Sequence, residues 1–220
     1  MRFHIISIFP ETLREYSSSS ILGRAGQKGL ITINLYDLRD FTHDKHDRVD
    51  DKPYGGGPGM VMSVDPIVRA VDYIKKKVVR RKDFTKSSII IPNPGAKQFT
   101  NHQAKSFSEK YSDIILIAGR YEGIDERVKR IFRANEFAIG QTIVSGGELP
   151  VMMMVDAIAR QIPGVLGSAE SIEETRVASS AVYTRPEIYR YSGKNYRVPQ
   201  ILLSGDHAKI ELWRKKKNKK

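Results

Sequence analysis

The stretch IAGRYEGIDERV, residues 117–128, decides how the rest of the chain is read. An apolar run at residues 114–118 stops at Gly119. A crowded polar turn of Arg120, Tyr121, Glu122 and Gly123 follows. After Asp125, the apolar positions Val128, Ile131 and Phe132 recur at helical spacing. A buried strand that passes through a glycine-bracketed turn into a helix is half of a strand–helix–strand unit. The pattern continues outward. Apolar or alternating runs at residues 3–9, 31–36, 88–91 and 137–139 read as strands. Pro10 and Glu11 open a short helix. Ile67, Val71, Ile74 and Val78 share one helical face, with Ser63 or Asp65 as cap and Pro66 in the first turn. Thr100 followed by Gln103 is a capping box for a helix to about Lys110. Residues 149–162 are apolar nearly all round, as in a buried helix. Strands alternating with helices predict an α/β fold, a parallel sheet with helices on both faces.

The totals narrow the function. Hydrophobic residues make up 40% and charged residues 28%, as in globular proteins. No apolar run reaches the ~18 residues of a membrane span, and MRFHIISIFP lacks a cleavage site, so it reads as a first strand rather than a signal peptide. The chain has no cysteine, which excludes disulfides, thiolate nucleophiles and zinc–thiolate sites and fits a cytoplasmic protein. There are 37 Lys and Arg against 25 Asp and Glu, a net charge of +12. Six of the basic residues lie in RKKKNKK, residues 214–220, and a second cluster, KKKVVRRK, occupies residues 75–82. Such charge suits a polyanion, because Lys and Arg displace the counterions condensed on phosphates. A solvated surface is the plainer alternative.

Three strands end in turns rich in Gly or Pro: IPNPGA (residues 91–96), AGRYEG (118–123) and IGQTIVSGGELP (139–150). In open parallel sheets, ligands bind beyond the carboxyl ends of the strands. Small residues there allow close approach to the backbone. Together the turns point to a nucleotide-like ligand. Neither G-x-x-x-x-G-K-[ST] nor G-x-G-x-x-G occurs, which argues against P-loop hydrolases and ordinary dinucleotide enzymes. A fourth loop, DDKPYGGGPGM, is either a lid, an RNA-facing loop or a linker. HDKHD, residues 43–47, reads as a hydrogen-bonded surface turn rather than a metal site, since further ligands are unspecified. Met152, Met153 and Met154 read as core or subunit-interface filler. Residues 164–180 are small, polar and acidic, a linker or mobile loop, and one helix is expected at 206–213.

The ordered motifs IISIFPE, RDFTHDKHDRVDDKPYGGGPGM, GRYEGIDERV, VSGGELP, IPGVLG, YTRPE and VPQILLSGDHAKIELWR closely resemble the bacterial tRNA (guanine-N1) methyltransferases, the TrmD family of the SPOUT class. The resemblance runs from the first residues to Trp213. It implies a trefoil-knotted α/β domain at residues 1–167, a flexible loop at 168–182, and a truncated tRNA-binding helical extension with a basic tail at 183–220. It implies S-adenosyl-L-methionine as cofactor, tRNA as partner with no role for DNA or membrane, and a homodimer with active sites at the subunit interface. The implied reaction is methylation of N1 of the guanosine at position 37, next to the anticodon. Magnesium is implied with bound substrate, without a ligand cage in the sequence. Alternatives are another RNA target, or RNA binding without catalysis.

By the same resemblance, the cofactor residues are Asn93 and Pro94; Gly119, Tyr121 and Glu122; Ile139, Gly140, Gln141, Thr142, Ile143 and Val144; and Gly146, Gly147 and Pro150. Arg160 matches the catalytic arginine, and Glu174 stands where the family places its catalytic aspartate, with Glu173 as the neighbouring register. The chain departs from the family pattern at NPGA and IGQTIV, where Gln141 and Thr142 replace Asp and Tyr, and in a shorter segment before YTRP.

Overall fold

The computed structural model describes residues 1–78, 86–167 and 181–217, and the chain divides into two compact units, residues 1–167 and 168–220. The first unit is built on β1 (Arg2–Ser7), which leads through a 3-10 turn (Pro10–Leu13) into α1 (Arg14–Ser18) and α2 (Ser20–Gln27). β2 (Thr32–Asp37) follows. Two short antiparallel strands, β3 (Asp50–Asp51) and β4 (Val61–Met62), then flank the glycine-rich loop. The chain continues through α3 (Val64–Tyr73) with a π-helical extension (Ile74–Val78), β5 (Ser87–Pro92), α4 (Asn101–Lys110) and β6 (Asp113–Ile117). It ends in α5 (Glu126–Phe132), β7 (Asn135–Phe137) and α6 (Glu148–Ala159). Five strands form one sheet in the order β2-β1-β6-β5-β7, every pairing parallel.

Strand alternation explains the layers. Phe3 and Ile5 of β1, Ile90 of β5, and Ile114 and Leu116 of β6 face one side, where Ala104, Phe107, Val151, Val155 and Ile158 of α4 and α6 cover them. Ile6, Ile89, Ile91, Ile115 and Ile117 face the other, against Ile67 and Val71 of α3 and Val128 of α5. A sheet covered on both faces needs apolar residues at every position, so its central strands read as unbroken apolar runs. The capping box of Thr100 and Gln103 is present. Asp125 caps α5, its carboxylate accepting from the Arg127 N–H. β7 begins two residues earlier than expected, because α5 stops at Arg133 in the left-handed region and the chain re-enters the sheet at once. α2 has no counterpart in the sequence reading; two of its eight residues are glycine, which weakens the helical signal.

At the amino end of the strands lies a closed polar cluster. Asp113, fully buried, accepts from Arg2 Nε at 2.7 Å and Nη2 at 3.0 Å, from Ser112 Oγ at 2.9 Å, and lies 3.1 Å from His4 Nε2. His4, also fully buried, has its Nδ1 3.1 Å from the Tyr36 hydroxyl. A neutral imidazole satisfies both contacts, donating to Asp113 and accepting from Tyr36.

In the second unit, the described residues form a hairpin of β8 (Ile188–Tyr191) and β9 (Lys194–Arg197), then α7 (Gln200–Leu203) and α8 (His207–Lys217). The sequence reading had only the last helix. The turn residues Ser192 and Gly193 both take positive φ, as a tight hairpin turn requires. Glu174 and Glu173, most of the expected loop at 168–182, part of the 75–82 basic cluster and the last tail residues lie outside the described residues.

Candidate functional site

The three turns converge at the carboxyl ends of β5, β6 and β7. They wall a cleft of about 460 Å³, within the ~300–1,000 Å³ of small-molecule sites. Ile91, Pro92, Asn93 and Pro94 form one side, residues 119–126 with Lys129 a second, and residues 136–140 with 142–144, 146, 147 and 150 the rest. Of the expected cofactor residues, only Gln141 is not part of this lining; it is exposed. Arg160 caps the C-terminus of α6, away from the cleft lining.

Each wall is held by identifiable bonds. Asn93 Oδ1 accepts from the Gly95 N–H at 2.9 Å, and its Nδ2 donates to Glu136 Oε1 at 2.9 Å. Glu136 also pairs with Lys129 of α5. Burial pushes the Glu136 carboxyl up, but the hydrogen bonds from Lys129 and Asn93 outweigh it and hold the group below its ordinary range. The sequence reading missed Glu136 and Lys129. Each looks like an ordinary surface charge, and only the parallel pairing of β5 with β7 brings them beside Asn93.

The 119–123 turn rests on β4. The Glu122 N–H donates to the Met60 carbonyl at 3.0 Å and the Met62 N–H to the Gly123 carbonyl at 2.9 Å. Tyr121 takes φ +57° and is half exposed, an unusual conformation for a bulky residue. The glycine-rich loop lies against this turn: a Cβ on Gly59 would stand 2.4 Å from Glu122 Oε1. The third turn crosses the second at close range. The Gly147 N–H donates to the Gly119 carbonyl at 2.7 Å, and a Cβ on Gly147 would come within 2.6 Å of the Gly119 nitrogen. Two backbones pass there with no space for a side chain.

Residues 43–47 form the expected hydrogen-bonded turn. Asp44 accepts from the His46 N–H and from the Arg48 guanidinium, which holds its carboxyl below the usual carboxylate range. Among the described residues, no three His, Asp or Glu side chains gather as a metal-binding group.

A cleft beyond the carboxyl ends of parallel strands, walled by glycine turns and carrying carboxylates, defines an α/β protein built to hold a nucleotide-sized ligand. A family profile described as tRNA (Guanine-1)-methyltransferase TrmD matches residues 1–220. The chain therefore belongs to the TrmD family of methyltransferases. It is 44% identical over 220 residues to the tRNA (guanine-N(1)-)-methyltransferase of Pseudoalteromonas atlantica, covering 98% of this chain and 79% of that one. It is 41% identical over 222 residues to the protein of that name from Clostridioides difficile, covering 99% and 92%. The crystal structure of the tRNA (m1G37) methyltransferase of Aquifex aeolicus superposes with a TM-score of 0.77 at 38% identity, over 97% of this chain and 87% of that one.

Proposed function

We propose that the chain transfers a methyl group from S-adenosyl-L-methionine to N1 of guanosine 37 in tRNA. The observation that carries this is the convergence of the three turns into one cleft, in a chain matched to the family along its whole length. The cleft's residues suit the cofactor: Ile91, Ile139, Val144 and Pro150 offer apolar walls for an adenosine, and Glu122 complements a cation. Bound there, S-adenosyl-L-methionine supplies an activated methyl.

The chain's own residues do the rest. Guanine N1 carries a proton and is a poor nucleophile at neutral pH. In this reading Glu174 removes that proton, and Arg160 stabilises the charge that grows on O6. Arg160 lies outside the lining of its own chain's cleft, which a site completed by a second subunit accounts for. Exposed Leu149 and Met153, one turn apart on α6, give an apolar face for such a homodimer. The threaded, knotted path belongs to the same reading. So do a cytoplasmic location and magnesium bound with substrate; among the described residues, no helix is long and apolar enough to cross a membrane.

For tRNA, support comes from the second unit. Residues 181–220 hold eleven Lys and Arg against three acids. Tyr183, Tyr189 and Tyr196 line a recess of about 260 Å³ together with Arg185 and Arg197. Aromatic faces beside guanidinium groups suit unpaired bases and phosphates.

The test is single-turnover methylation of an unmodified tRNA transcript, with the modified base located by mass spectrometry. The expected product is 1-methylguanosine at position 37 and nowhere else. Glu174→Gln should slow the reaction ~10²-fold or more, the range for a lost general base, with cofactor affinity unchanged. Methylation elsewhere, or none with intact cofactor binding, would overturn the assignment.

A further inference from the structure

Arg120, Glu148 and Ser7 come from distant parts of the chain and meet beneath the cleft. Ser7 Oγ donates to Glu148 Oε1 at 2.7 Å, and Arg120 Nε donates to Glu148 Oε2 at 2.9 Å. The Glu148 side chain is 5% exposed and that of Arg120 24%. Arg120 Nη1 also reaches the Ser145 carbonyl at 3.4 Å. Ser7 Oγ accepts from the Phe9 N–H at 2.9 Å, and the Arg120 guanidinium lies 4.8 Å from the centre of the Phe9 ring. A buried carboxylate is costly unless paired and hydrogen-bonded. Here both oxygens have a donor, and Glu148 opens α6, where the helix dipole also favours negative charge.

A purely structural ion pair could lie anywhere in the core. This one lies where the two cleft walls meet. Arg120 belongs to the 119–123 wall and bonds toward the 145–147 wall. A Cβ on Gly146 would stand 2.3 Å from Arg120 Nε and 2.6 Å from Glu148 Oε2. The 145–147 turn thus passes directly over the ion pair and rests on it. The guanidinium uses two nitrogens of one plane to reach Glu148 and Ser145, a geometry that a lysine cannot reproduce.

We infer that Arg120 and Glu148 are positioning residues, an internal brace that fixes the spacing of the 119–123 and 145–147 turns to the width of the cofactor. The inference rests on the proposed S-adenosyl-L-methionine site. Ser7 anchors the brace to the end of β1.

Calorimetry with S-adenosyl-L-methionine tests it, on wild type and on Arg120→Lys, Glu148→Gln and Gly146→Ala, with thermal unfolding recorded for each. Arg120→Lys and Gly146→Ala should raise Kd about 10-fold or more, the size of one lost charge-assisted bond. For Glu148→Gln, whose side chain is not part of the cleft lining, single-turnover methylation at saturating cofactor should stay within about threefold of wild type, since the transition-state groups are untouched. Arg120→Lys keeps the charge and loses only the planar fork, so it tests the brace even where Glu148→Gln fails to fold. Wild-type Kd with only a lowered Tm would make the pair a structural tie and overturn the inference. Unchanged Kd with turnover lost at saturation would also overturn it, placing Arg120 in the chemistry. No binding by wild type would instead bring down the cofactor site itself, and the brace with it.

Discussion

The two ends of the parallel sheet are finished in opposite ways. At the amino end, Arg2, His4, Ser112 and Asp113 satisfy one another in a buried cluster. At the carboxyl end the strands run out into glycines and strained turns around an open cleft, with Tyr121 at φ +57°, Gly123 at +128° and Gly140 at +157°. The backbone hydrogen bonding of the strands is the same at both ends. What differs is whether side chains close the polar groups off or leave them for a ligand. In the proposed reading, stability and ligand binding thus fall to different ends of the same strands, and this division can be attacked directly.

The largest effect should come from the closed end. Asp113→Ala leaves the buried His4 ring N–H and the Ser112 hydroxyl without their acceptor and removes the partner of the part-exposed Arg2; each unsatisfied buried donor typically costs ~1–3 kcal/mol. Urea unfolding should show that loss. In the protein that remains folded, affinity for S-adenosyl-L-methionine should not change. A parallel loss of affinity would show that the two ends are coupled and break the comparison.

A smaller effect should appear with pH. Burial lowers the pKa of His4, and its hydrogen bond to Asp113 pulls the other way without cancelling this. The folded state therefore takes up the His4 proton less readily than the unfolded chain. Stability should fall as pH drops through the unfolded histidine value of ~6.5. Asp113 adds a second window. Burial pushes its carboxyl up, but bonds from Arg2, His4 and Ser112 hold it below its ordinary value, so its contribution is lost only below pH ~4. Urea midpoints at pH 7 and pH 5 should differ more for wild type than for His4→Gln. Equal differences would remove His4 from the account.

The smallest effect belongs to the open end. A left-handed conformation costs an ordinary residue ~1–2 kcal/mol, and glycine gives back ~0.5–1 kcal/mol through its freer unfolded chain. Tyr121→Gly should therefore gain up to about 1 kcal/mol in stability, read as a raised urea midpoint, while cofactor affinity falls. Gains in both would mean that the strain at Tyr121 serves nothing.

The sequence made local features legible. The Thr100–Gln103 box, the helix that follows Asp125 and the apolar runs of β5 and β6 depend on residues within one turn or strand of each other. The turns at 91–96, 118–123 and 139–150 were legible as turns, and their meeting followed from the parallel sheet they imply. The family's motifs added roles for particular positions. What stayed hidden was contact between distant side chains. Ser7 and Glu148 are 141 residues apart, and Asn93 and Glu136 are 43 apart. Nothing in the local pattern distinguishes those acids from Glu109 or Glu126 on helix surfaces. The hairpin of β8 and β9 was missed for another reason: its strands are only four residues long and almost wholly exposed, so they carry little apolar signal.

The bond from Ser7 to Glu148 also sets a schedule for synthesis. β1 leaves the ribosome first, but its second sheet neighbour, β6, begins at residue 113, and the carboxylate that receives the Ser7 hydroxyl comes 35 residues later still. At translation rates of ~5–20 residues per second, Ser7 waits on the order of ten seconds for its partner. Until β6 emerges, the strand Phe3–Ile6 has at most β2 beside it, and its apolar edge lies open to other nascent chains. Closures over such long loops also slow folding, because chain entropy is lost before the contacts that reward it can form. The site at the carboxyl end is therefore among the last parts of the unit to be assembled, and conditions that delay the arrival of α6 should show up as aggregation before they show up as lost activity.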